Sequence, residues 1–117
     1  MLFNKTTGVM LANKVFLAQN FWTRLKGLQF RKSVPEDYAC IILDCKSIHT
    51  CFMRFNLDVI FVDREWRVLR IHKSLKPFRF TKPLKNAYAA IELRSGHLQV
   101  EAGQTLTLIG HGSDLIK

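Results

Sequence analysis

The chain is short of acidic residues, cysteine, proline and long apolar runs, and each shortage narrows what it can be. Nine Asp and Glu stand against eighteen Lys and Arg in 117 residues, a formal charge of +9. Three cysteines, Cys40, Cys45 and Cys51, cannot all pair within one chain, so reduced thiols are expected rather than a disulfide framework. The longest apolar runs, residues 39–43 and 59–62, fall far below the ~20 residues needed to cross a bilayer. The opening MLFNKTT lacks the basic and then apolar pattern of a secretory signal. A cytoplasmic protein with no transmembrane span is the expectation. There is no internal repeat and no linker that would split the chain. One domain over residues 1–110 and a tail over 111–117 follow.

What is present is ordinary in amount and uneven in place. A hydrophobic fraction of 48% and a charged fraction of 23% suit a globular domain. The charge is gathered in one segment: between Arg64 and Lys85 eight basic residues, one at every third position, accompany a single acid, Glu65. Such a run suits nucleic acid, an anionic lipid surface or an acidic protein, whereas a basic surface serving only solubility is the plainer alternative.

The apolar pattern yields short elements. Leu2-Phe3, then residues 9–11 and 15–17, are separated by turn-prone Thr6-Thr7-Gly8 and Asn13-Lys14, which predicts short strands opening with a hairpin. Asn20 as N-cap, with Phe21, Trp22, Leu25 and Leu28 at helical spacing, predicts a helix over residues 21–30, and residues 95–100 suggest one further helical turn. Residues 39–43, 51–53, 57–62, 68–71, 87–93 and 104–109 read as strands. Lys76-Pro77 and Lys82-Pro83 interrupt both helix and central strand, so residues 73–85 are expected to form an extended surface loop. The sum is an α+β fold, a curled, mostly antiparallel, barrel-like sheet with one clear helix and one short one.

Residues 24–31 (RLKGLQFR) and 47–63 (SIHTCFMRFNLDVIFVD), followed by LKPFR at 75–79, AYAAIEL at 87–93, Gly96 and AGQ at 102–104, give the chain a resemblance to a known family. It resembles the domain of unknown function 192 family across most of residues 15–109. The family usually has Pro where Asn56 stands and often Asp where Gln104 stands. The resemblance implies a compact α+β fold with a barrel-like sheet and brings no activity with it.

Three constellations could carry chemistry. His49, Arg54 and Asp58 form the first: His49 as a general base, Arg54 holding a carboxylate or phosphate, Asp58 orienting one of them. An Arg54–Asp58 ion pair bracing the sheet is the plainer reading, and in one straight strand those two would lie about 13 Å apart, so either role needs a bend near Asn56. Cys40, Cys45, His49 and Cys51 are four soft groups within twelve residues. Their spacing lacks paired knuckles and Cys40 lies in an apolar run, so neither a metal nor a cofactor is expected. The third constellation is Arg67, Arg70, Lys73, Lys76, Arg79, Lys82 and Lys85, interleaved with Trp66, Phe78 and Phe80. Phe78 or Phe80 beside Arg79 would suit stacking on single-stranded nucleic acid, although rings packed onto the core are the commoner outcome. A binding or adaptor module with a basic edge is the leading expectation. A small enzyme or ligand-binding protein using His49, Arg54 and Asp58 is the alternative.

Overall fold

The computed structural model describes residues 1–18, 37–48, 55–96, 98–110 and 115–116. Nine strands follow in order: β1 (Leu2–Asn4), β2 (Met10–Ala12), β3 (Lys14–Ala18), β4 (Tyr38–Leu43), β5 (Leu57–Val62), β6 (Val68–Leu75), β7 (Ala89–Arg94), β8 (Leu106–Leu108) and β9 (Leu115–Ile116). They form a six-stranded sheet in the order β6-β5-β7-β4-β3-β9 and a three-stranded sheet in the order β2-β1-β8. Pairing is antiparallel except at β3–β4 and β3–β9. A parallel pair cannot be closed by a tight turn and needs a long crossover, which the connection between Ala18 and Tyr38 provides.

The α+β expectation is therefore corrected. Among the described residues the architecture is all-β, and neither sheet closes into a barrel, because the large one ends at β6 and β9. The helix expected over 21–30 and the strand over 51–53 lie outside the described residues. The expected helical turn at 95–100 is absent from residues 95, 96 and 98–100. The start of the segment is instead held against the beginning of β5: the Ser95 N–H reaches the Asn56 carbonyl at 3.3 Å, and the Gly96 N–H reaches the Asp58 carboxylate at 3.4 Å.

Both faces of the large sheet are covered, which is why β4, β5 and β7 read as continuous apolar runs rather than alternating ones. One face packs Val15, Ile41, Ile60, Val62, Ile91 and Leu93 against Leu2, Ala12 and Leu106 of the small sheet. The other gathers Tyr38, Cys40, Ile42, Leu57, Val59, Phe61 and Ala90 with Ile48 and Ala87. Each buried Val, Leu, Ile or Phe side chain among these contributes about 1.5–3 kcal/mol.

The β5–β6 connection forms without the glycine a tight hairpin favours. Trp66 takes the left-handed position at φ 62°, and its N–H donates to the Asp63 carbonyl at 3.0 Å. The Asp63 carboxylate accepts from the N–H groups of Glu65 and Arg67, each at 2.9 Å. This side-chain cap, together with the packing of Trp66 on the core, offsets the strain of a bulky residue at positive φ.

Candidate functional site

The basic segment begins on one edge of the large sheet and continues into the loop that follows it. β6 is the terminal strand of the large sheet, and it runs to Leu75, so Lys73 belongs to the strand and not to the loop expected to begin there. Arg67, Arg70, Lys73, Lys76, Arg79, Lys82 and Lys85 are all exposed. Beyond Leu75 the loop is tied down at two places. Thr81 is buried; its N–H donates to the Ile48 carbonyl at 3.0 Å, and its hydroxyl accepts from the Ile48 N–H at 2.9 Å. The Leu84 N–H donates to the Lys46 carbonyl at 2.9 Å.

Between the end of β6 and the Thr81 anchor, residues 76–80 bow outward. Phe78 is 64% exposed and Phe80 75% exposed, so the expected packing of both rings onto the core does not occur. Phe78 sits after Pro77 in a turn at φ 61°. That second central position, with φ positive, is where a turn carrying Pro at its first favours glycine.

Of the three catalytic candidates, Asp58 alone lies among the described residues. His49 and Arg54 lie outside the described residues. Asp58 is 2% exposed, and its carboxylate accepts from the Ser74 N–H at 2.8 Å and the Gly96 N–H at 3.4 Å. The reason is a bulge. Leu57 pairs with Leu75 and Val59 with His72, so two residues of β6 lie opposite Asp58 alone, and Ser74 takes φ 53°. Its N–H leaves the regular ladder, and Asp58 supplies the acceptor. Beside this junction, where the Ser74 and Ser95 hydroxyls meet at 2.6 Å, a cleft of about 310 Å³ opens between Met10, Leu11, Asp58, Ser95 and Leu98.

Sequence reasoning passed over a second buried carboxylate. Glu92 is 4% exposed in the middle of β7, opposite Cys40 on one side and Val59 on the other. Among the described residues its Oε1 has no hydrogen-bond partner, and burial pushes its carboxyl up to about 7. His72 pairs with Val59, roughly 10 Å from Glu92 at the usual strand spacing. It packs edge-on to Phe61 at 5.9 Å, with burial and then the Arg70 guanidinium holding its imidazole below the ordinary value. The one signal available beforehand was a lone acid inside an otherwise apolar strand. Cys40, in the same cross-strand row, is buried as its apolar run implies. The half-buried Cys45 donates its thiol to the Ser47 carbonyl at 3.0 Å. Among the described residues no three His, Cys, Asp or Glu side chains cluster as a metal site would require.

The model of the DUF192 family, described as uncharacterized ACR, matches residues 2–108. This chain belongs to that family. DUF192 relatives include a UPF0127 protein of Thermococcus sibiricus, 35% identical over 115 residues, which cover 91% of this chain and 73% of the relative. Another, from Pyrococcus furiosus, is 34% identical over 113 residues, covering 90% of this chain and 95% of the relative. Among solved structures, a protein of unknown function from Novosphingobium aromaticivorans superposes with a TM-score of 0.71 at 24% identity, over 79% of this DUF192 chain and 72% of its own. A Sinorhizobium meliloti protein gives 0.70 at 21% identity, over 80% and 79%. These two likenesses concern the fold.

Proposed function

We propose that this DUF192 chain is a binding module that takes an anionic polymer along β6 and the loop that follows it. The supporting observation is the uniform exposure of Arg67, Arg70, Lys73, Lys76, Arg79, Lys82 and Lys85 along β6 and the segments that flank it. Along the strand, side chains three residues apart alternate between the two faces. A ligand lying along the rim can therefore meet charges from both faces.

Binding of this kind releases counterions. About four contacts to a single strand correspond to a log–log salt slope of roughly −3. Titrating the wild type at rising salt against single-stranded DNA, RNA, anionic vesicles and an acidic peptide measures this. Reversing Arg70, Lys73 and Lys82 to Glu should abolish the binding while barely moving the thermal midpoint, since exposed charges contribute little to stability. No binding to any of the four at low salt, where screening is weakest, overturns the reading.

A small-ligand or enzymatic role has one observation in its favour, the cleft beside Asp58. The Asp58 carboxylate already accepts from two backbone donors, which is the work of a structural group. Asp58→Asn separates the two roles. It should leave polymer binding intact if Asp58 only holds the bulge.

A further inference from the structure

We infer that the polymer is a single-stranded nucleic acid whose bases stack on Phe78, the ring that the 76–80 bow holds out into solvent. The inference rests on the polymer-binding reading and adds to it a partner chemistry and a residue.

Two observations about Phe78 stand independently of the charge. The ring is 64% exposed, so it contributes little to the core. Its backbone lies at φ 61°, a region that a bulky residue occupies only with strain. Glycine would fit that turn at no steric cost. A chain that carries an aromatic ring in such a place gains neither packing nor backbone ease from it, and strain of this sort gathers at recognition sites. The bow is also held at both ends, by the β5–β6 ladder up to Leu75 and by the Thr81–Ile48 hydrogen bonds. The ring is thus presented on a restrained segment, and less ordering entropy is lost when a partner settles on it.

The chemistry of the partner follows from what lies beside the ring. Lys76, Arg79 and Lys82 flank Phe78 along the chain, and all three are exposed. A ligand that suits them carries repeated negative charge and flat π-faces free of other stacking. Single strands offer both, whereas a duplex keeps its bases stacked internally. A bilayer offers headgroup charge but no flat π-face on which the exposed ring could stack.

The test uses the full chain and reads fluorescence anisotropy at low salt with four probes: oligothymidylate, an abasic strand of equal length, a duplex, and vesicles containing phosphatidylserine. Phe78→Gly should lower affinity for oligothymidylate by roughly tenfold or more and leave affinity for the abasic strand and the duplex unchanged. Its thermal midpoint should equal or exceed that of the wild type, because glycine is at ease at this φ. Phe78→Trp should retain the preference for the strand that bears bases. If the wild type binds oligothymidylate and the abasic strand equally and Phe78→Gly changes neither, the stacking inference falls while the polymer-binding reading survives. Binding to vesicles without binding to any nucleic acid overturns the inference in favour of a lipid surface. Binding to none of the probes overturns both.

Discussion

Asp58 and Glu92 are both buried carboxylates on neighbouring strands of one sheet, and they face opposite sides of it. Asp58 points toward the small sheet, where a bulge in β6 leaves the Ser74 N–H in need of an acceptor. Glu92 points into the apolar cluster around Cys40, Val59 and Phe61, and its Oε1 meets no donor among the described residues. The same functional group is therefore structural in one place and costly in the other. Burial alone does not decide which; the number of backbone donors left over by the local ladder does.

The sharpest way to break this comparison is to titrate it. The Glu92 carboxyl in the folded chain keeps its proton up to about pH 7, while its ordinary value is 4.5. Between those limits the folded state holds a proton that the unfolded state has released. The contribution is fully present below pH 4.5, is lost progressively as pH rises through 7, and is flat above that. The whole span corresponds to about 3 kcal/mol. Urea unfolding at a series of pH values should show this decline in the wild type and its disappearance in Glu92→Gln. An unchanged profile in the variant would mean that the buried group does not titrate as its surroundings require.

A smaller effect is expected on the other face. Asp58→Ala removes the acceptor for the Ser74 N–H, a loss of about 1–3 kcal/mol read from the same urea midpoints. Asp58→Asn keeps an acceptor oxygen and should cost less than half as much. If the two substitutions proved equally damaging, the negative charge and not the bulge would be what Asp58 serves.

The strands were legible in the sequence where burial on both faces made them unmistakable: residues 39–43 and 57–62 contain little besides apolar side chains. The β1–β2 hairpin was legible from Thr6-Thr7-Gly8. The helical turn expected at 95–100 does not form, and the segment starts with bonds to Asn56 and Asp58, some forty residues earlier, which local composition cannot reveal. Phe78 was misjudged for a related reason. An aromatic ring usually packs inward, and nothing in the local sequence distinguishes Phe78, which is left exposed, from Trp66, which packs on the core at a similar φ. Glu92 went unnoticed because a single acid in an apolar strand has no motif to announce it. Its isolation becomes visible once the registers with Cys40 and Val59 are known. The basic segment was plain from spacing, but its position on a terminal strand came only from the sheet order.

That terminal position has a consequence for how copies of the chain treat one another. The outer side of β6 has no strand beside it among the described residues, and an open strand edge is a template on which a second identical edge can extend the sheet into an aggregate. Arg70 and Lys73 lie on that strand, so two copies approaching edge to edge would bring like charges together at the spacing of adjacent strands, where they repel. The row of charge that suits an anionic ligand thus also keeps the sheet from growing.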